Sequence, residues 1–149
     1  MSKPGKGPPK RVQYAALPYR FGSRSREVML VTSRETRRWI IPKGWPQKGK
    51  PPHHSAAREA YEEAGVVGKV ARRPVGSFAY KKRFKNGRVV VCEVYVFPLR
   101  VRRQNKKWPE RRQREVKWVS ASQAAKKVKE PLLSAIIRRL ARKYDGHET

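Results

Sequence analysis

Cysteine is almost absent: Cys92 is the only one in 149 residues. A single thiol excludes an internal disulfide and a cysteine-built zinc cage. It alternates with valines in an apolar run, where a small buried hydrophobe is expected rather than a nucleophile. Acidic residues are scarce as well. Eleven Asp and Glu stand against thirty-eight Lys and Arg, a net charge of +27. A surface so unbalanced repels itself and attracts phosphates, which leaves nucleic acid, an anionic membrane surface or a small polyphosphate as partner classes. Long apolar runs are missing too. No stretch approaches the roughly 18 apolar residues that a membrane-spanning helix requires. Residues 1–11 are rich in Pro, Gly and Lys and hold no apolar segment of the kind a signal peptide needs. We read 1–11 as a flexible basic leader, 12–149 as one domain, and the protein as cytoplasmic.

What is present is an ordinary hydrophobic fraction, 38%, spread over most of the length. Gln13–Tyr19 and Glu27–Thr32 read as strands joined by a Gly/Ser turn, a hairpin. In the second, Val28 and Leu30 alternate with Met29 and Val31, which assigns the pairs to opposite faces. Four prolines and two glycines between Pro42 and Pro52 predict a loop. Ser55–Ala64 reads as a helix capped by Ser55 and closed by Gly65. Val75–Phe84 and Arg88–Leu99 form a second hairpin across Lys85, Asn86 and Gly87. Val101–Arg114 reads as a charged loop, Glu115–Val119 as a short strand, Ser120–Val128 as a helix, and Pro131 as the start of the last helix. Strands and helices do not strictly alternate, so the expected fold is α/β: an α/β/α sandwich around a mixed sheet.

The rare acids are not scattered evenly. Glu59, Glu62 and Glu63 fall within five positions. On a helix, residues three and four apart share a face, so these carboxylates converge on one exposed face beside the Gly44 loop. Their mutual repulsion would be relieved by a hard divalent cation such as Mg²⁺ or Mn²⁺. Taken alone, a solvated acidic face paired with nearby Lys and Arg is the better explanation of the cluster, since charge runs usually mean solvent.

The stretch from Gly44 to Val66 decides between them. It closely resembles the Nudix box: Gly, five residues, Glu, seven residues, then Arg-Glu-apolar-x-Glu-Glu-x-Gly-apolar. Gly44, Arg58, Glu59, Ala60, Glu62, Glu63, Gly65 and Val66 match at that spacing, and Lys50 stands where the pattern has its first Glu. The resemblance implies a Nudix-type sandwich and metal-dependent cleavage of a diphosphate linkage. It implies that Glu59 and Glu63 bind the metal and that Glu62 binds a further metal through water or acts as general base. The backbone carbonyl of Lys43, before Gly44, is implied as a further ligand. Arg58 supports the box, and in the absence of a glutamate at Lys50 it can pair with Glu62 one turn on. Glu115 is a second candidate base. Glu93, mid-strand among valines, is either an extra ligand or a paired buried acid, and the second reading is preferred.

Arg38-Trp39-Ile40-Ile41-Pro42-Lys43-Gly44 further resembles the entry loop of the diphosphoinositol polyphosphate phosphohydrolase branch, which also cuts diadenosine polyphosphates. That implies a small polyphosphate substrate, and the excess of positive charge suits one. Arg20, Arg34, Arg38, Lys43 and Arg88 are the candidate phosphate-binding residues. Lys81, Lys82 and Arg83 lie on the same hairpin as Arg88, and His53 and His54 stand at the start of the box helix. Nine Lys and Arg from Arg100 to Lys117, with Trp108 among them, keep a second class open: an RNA 5′-end pyrophosphohydrolase or a basic nucleic-acid-binding protein. No aromatic ribonucleoprotein signature accompanies that patch.

Overall fold

A computed structural model describes residues 10–145. Its centre is β1 (Lys10–Phe21), whose alternating residues divide between two cores. Ala15, Leu17 and Tyr19 enter one cluster and Ala16 the other. β2 (Arg26–Thr32) returns antiparallel to β1, with Tyr19 opposite Val28. As its alternation predicts, Val28 and Leu30 pack on one face and Met29 and Val31 on the other. β3 (Trp39–Ile40) extends the sheet beyond β2. β4 (Lys43–Gly44) lies within the expected loop and pairs with Tyr14 and Ala15 of β1.

The helix α1 (Pro52–Ala64) starts earlier than its sequence suggests. Prolines are tolerated in a first turn, where the missing N–H has no helical partner to lose. Ser55 is therefore not the cap. It is fully buried inside the helix, and its Oγ accepts the amide of Gln47 at 3.1 Å, tying the preceding loop down. At the other end Gly65 takes the left-handed conformation, φ 72°, as expected of a helix-closing glycine. Ala56, Ala60 and Ala64, one turn apart, are all fully buried against Ala16, Met29, Phe97 and Leu99. Small side chains at this spacing let the helix lie close to the sheet.

Beyond α1 come β5 (Val66–Val70), β6 (Gly76–Arg83), β7 (Val89–Gln104) and β8 (Val116–Ser120). β5 is a strand the sequence does not signal, because Gly68 interrupts a run of only five residues. β6 and β7 form the expected hairpin across Gly87. β7 runs on to Gln104, so residues 101–104 are strand rather than loop. They pair with β5, with a register shift between Val67 and Gly68. β7 also runs parallel to β1, with Lys10 opposite Val91 and Tyr19 opposite Arg100. β1 thus begins inside the segment expected to be leader, and residues 1–9 lie outside those described. β8 pairs with β2.

α2 (Ala121–Lys127) is capped by Ser120, whose Oγ accepts the amide of Gln123 at 3.3 Å. α3 (Pro131–Asp145) buries Leu133, Ile136, Ile137 and Leu140. α2 and α3 cover one face of the sheet, α1 the other. The mixed parallel and antiparallel sheet between helical layers is the α/β/α sandwich the sequence predicts. No helix among the described residues is long and apolar enough to cross a membrane.

Candidate active site

Glu59 and Glu63 lie one turn apart on α1 and meet beside β4. Gly44 makes room for them. A Cβ at that position would stand 2.5 Å from both carboxylate oxygens of Glu59. The neighbour is the end of a flexible side chain, so Gly44→Ala is expected to displace Glu59 and not the backbone. Turnover should be lost while the thermal melting midpoint stays close to that of the parent, a pairing read from one activity assay and one melting curve.

The sequence places the glutamates on an exposed face, but Glu63 is buried, at 3% exposure. Its Oε1 is enclosed and has no hydrogen-bond partner. Burial drives the Glu63 carboxyl well above the ordinary carboxylate range, Arg114 opposes that, and the Glu59 carboxylate adds to it. Burial likewise raises Glu59, with the fields of Glu62 and Glu110 in the same direction. Two desolvated carboxylates side by side, one with an orphaned oxygen, form an oxygen donor set suited to a hard divalent cation. Among the described residues no three His, Cys, Asp or Glu side chains already form a cage. Glu62 is turned aside, its Oε2 accepting the Arg58 Nε at 2.5 Å, the pairing expected when Lys50 replaces an acid. Lys50 itself is exposed.

The segment after β7 closes the helix end. Trp108 lies against Gly65, where any Cβ would penetrate the indole ring. Backbone amides of Asn105 and Glu110 donate to the carbonyls of Gly65 and Glu62 at 2.8 and 2.9 Å, and Gln104 Nε2 donates to Ala64 O at 2.9 Å. These bonds occupy carbonyls that a helix end leaves without partners. They also bring two residues the sequence reading missed, Glu110 and Arg114, to the glutamates. Arg114 is 9% exposed in its side chain, donates from Nε to Glu110 at 2.8 Å, and stands 3.8 Å from Glu63 Oε2. Their one sequence signal is an acid at Glu110 inside a largely basic run.

The other candidates divide by position. Lys43 reaches its side chain over Tyr80, Nζ 4.7 Å from the ring centroid. Burial lowers its ammonium, opposed by the field of Glu63 and reinforced by Lys82, Arg38 and Arg114. The Tyr80 hydroxyl donates to Gln13 Oε1 at 2.7 Å, and burial raises its pKa. Arg38 forms a forked pair with Glu130 at 2.7 and 3.4 Å. Arg34 bonds Gln113 at 3.0 Å. Arg20 bonds Glu27 at 2.7 Å and covers the Trp118 ring. Arg88 stands exposed in the β6–β7 turn. Glu115, the second candidate base, is not gathered with the glutamates. Its side chain is 68% exposed and paired with Arg37 at 3.2 Å. Glu93 sits near Ser77 on the open part of the sheet, as a partly buried acid.

The sequence profile of the NUDIX domain matches residues 9–140. Nudix hydrolase 12, mitochondrial, of Arabidopsis thaliana is 32% identical over 101 residues, covering 66% of this chain and 50% of that protein. Diphosphoinositol polyphosphate phosphohydrolase 3-alpha of Mus musculus is 40% identical over 86 residues, covering 57% of this chain and 48% of that protein. The chain spans about half the length of the curated relatives it matches. Among solved structures, a C. elegans Ap4A hydrolase binary complex superposes with a TM-score of 0.67 at 18% identity, covering 91% of this chain and 98% of that one. At that identity the likeness is one of fold.

Proposed function

Because this chain belongs to the Nudix domain family, we propose that it is a metal-dependent pyrophosphohydrolase that cuts a diphosphate linkage in a small, highly anionic substrate. The observation that carries this reading is buried Glu63 beside half-buried Glu59 against Gly44, with an oxygen of Glu63 left unpartnered. Such a pair is costly to hold without a cation. Glu59 and Glu63 would hold Mg²⁺ or Mn²⁺, with the adjoining Lys43 carbonyl as a further ligand. When bound, the metal neutralises phosphate charge and lowers the pKa of a water for attack. Glu62 is the base candidate nearest the pair. Its Oε2 already accepts the Arg58 Nε, so that bond must open for this oxygen to take a proton.

The substrate class rests on charge. Lys43 lies over Tyr80 within the fields of Lys82, Arg38 and Arg114, so a phosphate chain leaving the glutamates would meet cations at once. A concavity of about 510 Å³ lined by Lys107, Trp108, Arg111 and Arg112 adds a second basic surface on the segment that closes α1. Both favour substrates with several consecutive or crowded phosphates, such as inositol pyrophosphates or diadenosine polyphosphates. A second reading, an RNA 5′-end pyrophosphohydrolase, draws on Trp108 with Arg111 5.7 Å from its ring centroid, since aromatic and basic groups together bind single strands. The test is one panel in Mg²⁺ and in Mn²⁺: diadenosine polyphosphates, inositol pyrophosphates, ADP-ribose and 5′-triphosphorylated RNA. We expect turnover of a small polyphosphate that stops on chelation. Turnover of RNA alone would favour the second reading, and turnover undiminished by chelator would refute the metal.

A further inference from the structure

Within the glutamate motif, positive charge is already committed. Arg58 pairs with Glu62 and leaves Glu63 without a cationic partner on its own helix. The partner comes from the segment before β8. Arg114 Nε donates to Glu110 Oε1 at 2.8 Å, one terminal nitrogen donates to the Thr32 carbonyl at 3.1 Å, and the other stands 3.8 Å from Glu63 Oε2. Thr32 ends β2, and the Glu110 amide is bonded to the Glu62 carbonyl. The guanidinium is thus fixed to the sheet and to the end of α1 at once. At 3.8 Å it makes an ion pair with Glu63 rather than a hydrogen bond, but the site is enclosed and such fields are weakly screened there.

We propose that Arg114 is a positioning residue for the metal centre: it engages Oε2 of Glu63 and thereby aims the unpartnered Oε1 at the cation. This goes beyond the hydrolase reading but rests on its assignment of Glu63 as a ligand. Only a planar fork can serve three acceptors in three directions; a lysine ammonium of similar reach cannot span them. In this role Arg114 acts through Glu63, Glu110 and the Thr32 carbonyl and not on the metal itself. Its effect passes through the orientation of a ligand, as partners behind metal ligands do.

A counter-ion that merely neutralises the empty site would behave differently. Metal would compete with it, and removing its charge would tighten binding. The two roles therefore predict opposite signs. The experiment is Mn²⁺ titration of the purified chain followed by electron paramagnetic resonance, with a melting curve for each variant. Arg114→Lys keeps the charge and loses the fork. We expect a dissociation constant raised about 10–100-fold, the scale of losing a group that orients a ligand, with melting near that of the parent. Arg114→Gln should weaken binding as well. Unchanged affinity in Arg114→Lys, or tighter binding in Arg114→Gln, would overturn the proposal. Should either variant not fold, Glu110→Gln removes the charge at the main anchor and leaves the arginine in place. It should weaken Mn²⁺ binding in the same direction, and no change would overturn the proposal equally. Glu63→Gln separates the two levels. If it leaves Mn²⁺ binding intact, the ligand assignment itself fails. If it abolishes binding while Arg114→Lys does not alter it, only the positioning role fails.

Discussion

Glu63→Gln is expected to abolish turnover while leaving a folded chain. The substitution conserves shape and removes charge, so the effect isolates what the carboxylate does. Loss of a metal ligand should exceed the roughly 10–100-fold typical of losing a residue that only orients one. Stability should not fall in step. The parent carboxylate is buried with one oxygen unpartnered, an arrangement that costs the fold. An amide there needs less solvation, and Arg114 keeps Glu110 and the Thr32 carbonyl as acceptors. Side-by-side kinetics and melting curves would decide the matter. Near-parent turnover would show that the Glu63 carboxylate has no catalytic part, and collapse of the fold would show that its role is structural.

The second large effect is on stability. Gly65 has φ 72°, and the space where a Cβ would project is filled by the Trp108 indole. Gly65→Ala meets two penalties: roughly 1–2 kcal/mol for an L-residue in the left-handed region and about 1–3 kcal/mol for overpacking. The backbone cost cannot be relaxed, whereas the ring can move only by drawing the 105–110 segment off the helix end. Expected losses of roughly 2–5 kcal/mol correspond to a melting midpoint lower by about 4–20 °C in a domain of this size. Metal affinity should fall as well, because Glu110 and Arg114 ride on that segment. A midpoint within a degree or two of the parent would mean that Trp108 does not seat on Gly65 in solution.

The sequence makes legible whatever depends on short-range pattern. Val28 and Leu30 against Met29 and Val31 announced two cores on two faces of one strand, and the packing agrees. Gly65 announced the end of α1, and the spacing of Glu59 and Glu63 announced their meeting. What escaped depends on distant partners. Nothing local in Arg114 distinguishes it from its basic neighbours; its role exists because Trp108 seats on Gly65 and carries the following turn to α1. Residues 101–104 look like loop because they are charged, yet β5 supplies the ladder that makes them strand. Ser55 resembles a cap, but the prolines before it already fit the first turn of a helix. The sequence reading takes Glu115 as a candidate base and passes over Glu110, yet the turn geometry sends Glu115 to Arg37 and Glu110 towards Arg114.

The long parallel pairing of β1 with β7 also governs how the molecule comes into being. Ten consecutive partners, from Lys10 with Val91 to Tyr19 with Arg100, join segments separated by most of the domain. Closing so large a loop must precede the contacts that reward it, which slows folding relative to helical domains. During synthesis β1 emerges early and waits, one edge unpaired, until β7 follows. The glutamate helix emerges in that interval, after β1 and β2 but before Phe97 and Leu99 of β7 and before the turn that carries Arg114. Until that turn is made, Glu63 lacks the Arg114 guanidinium that stands beside it in the folded chain. A chain released before Val91 leaves β1 as an apolar strand with an unsatisfied edge, the kind of surface that seeks pairing with other chains.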